Sequence, residues 1–124
     1  MRKVGVTLVV LCYAVLLYTS LTAPAYARAH AHLDPATVAA YSAPWPVALA
    51  SVLAIAGIML AVIPLRRGER WALFTLLAML VILFVTRLRI DPRCLVVLDP
   101  HQHGCHTFMI ASILGVIGLA LAWR

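Results

Sequence analysis

Charged residues are scarce in this chain of 124 residues. Lys, Arg, Asp and Glu together make up 11% of it, and only four residues are acidic. A soluble domain carries about 25% charged and roughly 45–50% apolar residues. Here 65% are hydrophobic and the mean hydropathy is +1.02. These values exclude a soluble enzyme and a disordered tail, and they indicate an integral membrane protein.

The chain also lacks a long basic block, although its formal net charge is +6. In a soluble protein such a charge would suggest a nucleic-acid partner. Here the basic residues lie between apolar runs, where they act as topology signals. We therefore expect no nucleic-acid partner and take the lipid bilayer as the main surroundings of the protein.

Four apolar runs are long enough to cross a bilayer, which takes roughly 20 apolar residues. The expected fold is an all-α integral membrane bundle of four transmembrane helices in one domain, residues 1–124. The predicted helices cover about residues 4–21, 47–65, 71–88 and 107–123, separated by loops 22–46 and 89–106 and a turn at 66–70.

Basic residues are unevenly divided between the two sides of this bundle. Six lie on one side, opposed by Glu69: Arg2, Lys3, Arg66, Arg67, Arg70 and Arg124. Four lie on the other side, with three aspartates: Arg28, Arg87, Arg89 and Arg93. The positive-inside rule predicts cytoplasmic termini and extracytoplasmic loops 22–46 and 89–106. The expected location is a prokaryotic plasma (inner) membrane.

The first apolar run fits two interpretations. A charged start, an apolar stretch and Ala25-Tyr26-Ala27 resemble a cleavable signal peptide. The stretch is about 18 residues, longer than the usual ~7–15, which favours a retained signal anchor. Cleavage after Ala27 would leave three helices in the same orientation.

Small residues follow the spacing i, i+4, i+7, i+11 in two of the runs. They are Ala50, Ala54, Gly57 and Ala61 in the second run, and Ala111, Gly115, Gly118 and Ala122 in the fourth. This spacing lines one face of a helix. Small faces allow helices to approach closely in lipid, as in small-xxx-small packing. We expect the two stripes to face each other or an identical chain, and the bulky third run to face lipid over much of its circumference.

Groups that perform chemistry are few. No run carries an Asp, Glu, His, Lys or Arg in its middle, which argues against a transporter or proton pump. Thr75 and Ser112 are expected to bond their own helix backbone. The chain has no Gly-rich phosphate loop, serine elbow or helix-borne metal motif. We therefore expect a protein that is not an enzyme.

Ligand-type residues cluster on the predicted outer side. Cys94 and Cys105 share one loop, and in an oxidising compartment we expect them to form a disulfide. The five histidines suggest an alternative, a copper or zinc site: His101, His103 and His106 with His30 and His32. His101, His103 and Cys105 would point to one side of an extended segment, and imidazole with thiolate suits these metals.

Cleavage after Ala27 would create a further metal site. The new amino terminus would be Arg28-Ala29-His30, whose nitrogens can bind copper(II) or nickel(II) in a square plane.

Few functional groups and two tightly packing faces predict a structural or accessory subunit of a membrane complex. Its expected partners are other membrane subunits or further copies of the chain. The alternative function is extracytoplasmic binding or delivery of copper or zinc.

Overall fold

The computed structural model describes residues 1–29, 35, 39, 44–90 and 103–124. These residues are helical and contain no strand, which confirms the all-α class. The elements are α1 (Arg2–Ala29), α2 (Pro44–Leu60) with a π-helical continuation (Ala61–Leu65), α3 (Arg70–Ile90) and α4 (His103–Trp123). All four helices are long and apolar enough to cross a membrane.

The helices extend beyond the apolar runs that predict them. Helix α1 continues through Pro24 to Ala29, and α4 begins at His103 rather than near residue 107. Helix α2 begins with Pro44 and Pro46 in its first turn. Proline is tolerated there because amide groups in the first turn have no partner within the helix.

The connection between α2 and α3 is a tight turn determined by a proline and a glycine. Pro64 has no amide hydrogen to donate to the preceding turn, and the helix widens here into its π-helical continuation. The helix then ends with Gly68 at φ +86°, a conformation that glycine adopts without strain. The amides of Gly68 and Glu69 bond the carbonyls of Leu65 and Pro64 at 3.0 and 3.1 Å, a Schellman motif.

Helix α1 is the centre of the bundle. Val9, Cys12, Tyr13 and Leu16 recur every three or four residues on one of its faces, and each is at most 2% exposed. Helices α2 and α4 both run antiparallel to α1 and make the most extensive contacts with it. The first apolar run therefore supplies much of the core.

The glycines of both small-residue stripes lie against α1, so the two stripes do not face each other in this structure. Contact of a stripe with an identical chain stays a prediction. Gly57 on α2 receives the ring of Tyr13. Gly118 on α4 lies against the backbone of Gly5, and Gly115 lies against Cys12. Helices α2 and α4 make no extensive contact with each other among the described residues. The sequence shows that a helix face is lined with small residues, but it does not show which neighbouring helix packs against that face.

Helix α3 has one packed face and one open face. The packed face holds Ala72, Leu73, Leu76, Met79, Leu80 and Leu83, all at most 8% exposed. The open face holds Trp71, Phe74, Leu77, Val81, Ile82 and Val85, all at least 38% exposed. The open face is compatible with the predicted lipid contact, and the packed face completes the core against α2, its π-helical continuation and α4.

Candidate functional site: a crevice and a basic end

Serine and threonine hydroxyls in the helices donate hydrogen bonds to backbone carbonyls of the same helix. Thr75 donates to the carbonyl of Trp71 and Ser112 to that of Phe108, each at 2.9 Å, as the sequence predicts. The same pattern holds for Thr7, Thr19, Ser20, Thr22, Ser51 and Thr86. Such bonds satisfy polar groups within one helix and leave them without a role in a polar path.

Tyr13 differs because its hydroxyl bonds a different helix. It donates to the backbone oxygen of Leu76 on α3 at 2.6 Å, while its ring lies against Gly57 on α2. One side chain thus joins three helices in the middle of the bundle. Sequence reasoning missed Tyr13 because it considered charged groups inside the runs. The available signal was a tyrosine in the middle of the first apolar run.

An apolar crevice of about 400 Å³ lies between α3 and α4. Its floor includes Leu80, which reaches across to Gly115 and is 3% exposed. Its outer walls include Val81 and Val116, both about half exposed. The full lining is Leu77, Leu80, Val81, Phe84, Met109, Ser112, Ile113, Val116 and Ile117. The crevice is open on the side away from α1 and suits an apolar occupant.

Aromatic pairs close the contact between α3 and α4 above and below the crevice. Phe74 and Trp123 meet edge to face, with ring centroids 5.8 Å apart. Phe84 and Phe108 stack at 6.0 Å, and the Arg87 guanidinium lies 5.9 Å from the centre of the Phe108 ring. The two helices therefore meet through aromatic rings at two levels, and between these levels Leu80 reaches Gly115 at the floor of the crevice.

One end of the bundle, here called the basic end, collects cations from three parts of the chain. It consists of Arg2, Lys3, Arg66, Arg67, Arg70 and Arg124, all exposed. Arg2 reaches the α2–α3 turn. Its Nη1 atom lies 2.8 Å from the position that a Cβ atom would occupy on Gly68. The described residues here include one carboxylate, Glu69, which accepts a hydrogen bond from the Trp71 indole. The basic end thus has a strong positive charge next to exposed aromatic rings.

Most predicted metal ligands lie outside the described residues, namely His30, His32 and His101. His103 and Cys105 belong to the first turn of α4, and His106 on the same helix is half-buried. The backbone is helical from His103 onward, whereas the predicted alternation assumes an extended segment. The described residues contain no group of three or more candidate metal ligands. Cys94 also lies outside the described residues, and the described free cysteine is Cys12, buried against Gly115.

Comparisons of the chain with protein-family models, with curated proteins and with solved structures found no match.

Proposed function

We propose that this protein is a structural or accessory subunit of a membrane complex. The observation that carries the proposal is that the polar side chains inside the helices form hydrogen bonds within the protein. Within the described helices, hydroxyls bond backbone carbonyls, and the central tyrosine joins helices to one another. The interior is thus devoted to packing, which suits a protein that acts through its outer surface.

The outer surface supports the same proposal. Large apolar side chains are exposed on all four helices, among them Leu11, Val52, Val85 and Ile110 at 48–63%. Lipid accounts for such exposure, and a partner helix would be accommodated on the same kind of surface. A partner would be held by one of these faces.

Purification in native lipid particles tests the proposal. We expect the tagged chain to elute with a partner chain in fixed stoichiometry, and crosslinking in intact membranes to give the same pair. The substitutions Val52→Trp on α2, Val85→Trp on α3 and Ile110→Trp on α4 each enlarge one outer face. One of the three should release the partner while the other two retain it. A chain that is alone in both membranes and particles would refute the proposal.

We extend the proposal to membrane orientation and to the retention of α1. The positive-inside rule places the basic end in the cytoplasm. The buried face of α1 supports its retention, because cleavage after Ala27 would remove Val9, Cys12 and Tyr13 from the core. The intact mass of the purified chain tests retention, and a loss of 27 residues would contradict it. A membrane-impermeant cysteine-reactive probe that reached Arg67→Cys but not Gly104→Cys from outside intact cells would contradict the orientation.

The predicted disulfide and metal site stay predictions. If Cys94 and Cys105 are joined, the non-reduced mass should be two hydrogens lower than the reduced mass. If the histidines bind copper or zinc, purified protein should carry stoichiometric metal, and replacing His101, His103 and His106 with alanine should remove it. Metal-free protein after loading with either ion would rule out delivery as the alternative function.

A further inference from the structure

We propose that the protein binds one anionic phospholipid at its basic end. The phosphate lies between the start of α3 and the end of α4, and one acyl chain lies in the crevice between these helices. This inference does not depend on the proposed role as a subunit.

The charge of the basic end selects an anionic headgroup. Arg70 is the first residue of α3 and Arg124 follows the last residue of α4, and both are exposed. The one acidic side chain described nearby, that of Glu69, accepts a hydrogen bond from Trp71. A Lys or Arg near an anionic lipid surface strengthens binding roughly fivefold. The amides in the first turn of α3, a helix of 21 residues, add positive potential beside Arg70. The last carbonyls of α4 oppose it beside Arg124, so the arginine side chains provide the selection for an anion.

Aromatic rings mark the level at which the headgroup meets the acyl region. Phe74 and Trp123 are each 57% exposed, and their rings meet edge to face. Phe74 lies one helical turn after Arg70, and Trp123 immediately precedes Arg124. Tryptophan rings favour this interfacial level in membranes. A lipid bound here would pass over the aromatic pair toward the crevice.

The crevice spans the middle of the bilayer, within reach of an acyl chain from the basic end. Its lining on α3 extends from Leu77 to Phe84, which lie roughly 10 and 21 Å of helix rise from Arg70. The hydrocarbon core is roughly 30 Å thick, so the crevice covers its central part. The crevice of about 400 Å³ falls within the roughly 300–1,000 Å³ typical of small-molecule sites.

The lining of the crevice fits a hydrocarbon chain. Ser112 is its one polar residue, and the Ser112 hydroxyl already bonds the carbonyl of Phe108. A polar ligand would therefore lose its hydrogen bonds with water without replacing them. An acyl chain loses none.

Native mass spectrometry of the full chain with phosphatidylglycerol or phosphatidylcholine of identical acyl chains tests the inference. We expect the wild type to retain phosphatidylglycerol preferentially. The double variant Arg70→Gln, Arg124→Gln should bind it about 25-fold more weakly, from two fivefold losses. The matched control Arg66→Gln, Arg67→Gln removes the same charge from the α2–α3 turn and should lose less than about fivefold.

A second pair of variants tests the acyl chain. Val81→Trp fills the crevice and should also weaken retention of phosphatidylglycerol, whereas Val52→Trp enlarges an exposed face of α2 and should not. All these positions are exposed, so the variants should fold, and circular dichroism checks this.

Four outcomes would overturn the inference. Equal retention of the two lipids would exclude selection by charge. Equal losses in the two arginine pairs would indicate a diffuse surface potential without a site. Unchanged binding in Val81→Trp would exclude the crevice. A second copy or a partner helix crosslinked to the crevice would identify a different occupant.

Discussion

Helix α4 packs against two neighbours in two different ways. Against α1 it presents Gly118, and a Cβ atom on that residue would lie 2.9 Å from the backbone oxygen of Gly5. Against α3 it presents Phe108 and Trp123 at its ends and a crevice of about 400 Å³ between them. Helix α4 is thus in backbone contact with α1 on one side, whereas on the other side it meets α3 through aromatic rings.

The difference shows what brings helices together in lipid. Burial of apolar surface gives no net gain there, because lipid tails are as apolar as leucine. Close approach then depends on small residues, which both α1 and α4 provide where they meet. Where both partners are bulky, as at Phe84 and Phe108, the backbones stay apart and space remains for another molecule.

The largest expected effect comes from enlarging the tight contact. Gly118→Leu places a side chain against the Gly5 backbone, which cannot move aside as a side chain could. We expect a loss of about 3 kcal/mol in the free energy of unfolding, at the upper end of overpacking costs. Denaturation in detergent micelles measures it.

Ala120→Leu is the matched control for this change. Ala120 lies on the same helix but is exposed, so its enlargement should alter stability by less than about 0.5 kcal/mol. Equal stability of the two variants would mean that α1 and α4 are not in backbone contact.

A smaller effect is expected at the centre of the bundle. Tyr13→Phe keeps the ring against Gly57 and removes the hydroxyl that bonds Leu76. Interhelical hydrogen bonds in membranes contribute about 0.6 kcal/mol and at most roughly 1.7. We expect a loss of about 1 kcal/mol in the same denaturation measurement.

Thr75→Val provides the comparison for Tyr13→Phe, because the Thr75 hydroxyl bonds its own helix. Its effect should be near zero. If Thr75→Val lowered the free energy of unfolding as much as Tyr13→Phe, the hydrogen bond from Tyr13 to α3 would stabilise the bundle no more than a bond within one helix.

The smallest effect is expected in the crevice. Val116→Leu adds one methylene to a side chain that is 51% exposed and has open space beside it. We expect a change below about 0.5 kcal/mol in either direction, measured beside Gly118→Leu two residues away. A loss comparable to that of Gly118→Leu would show that α3 and α4 are as closely packed as α1 and α4.

The fold class and the buried faces could be predicted from particular residues. Ala54, Gly57 and Ala61 lie on the packed face of α2, as their spacing indicates. On α4, the spacing of Ala111, Gly115, Gly118 and Ala122 likewise indicates the face that is buried. Helical periodicity shows which residues share a face because it depends only on local geometry.

The partners of these faces could not be predicted, because pairing depends on residues distant in the chain. The spacing at Gly118 does not indicate that Gly5 lies opposite. The crevice also escapes prediction, since its size depends on how far Phe84 and Phe108 hold two helices apart. The proposed lipid site depends on this crevice and on the contact between Phe74 and Trp123, which the sequence does not show.

The backbone contact between Gly5 and Gly118 joins helices from opposite ends of the described chain. Gly5 and Gly118 are separated by more than a hundred residues, and contacts so distant in sequence form slowly because the intervening chain must first be brought together. During synthesis, α1 enters the membrane long before α4 exists. Until α4 arrives, the glycine face of α1 is open to any other small-faced helix in the bilayer. The packing of α1 is therefore completed only after the last helix of the described chain has been made.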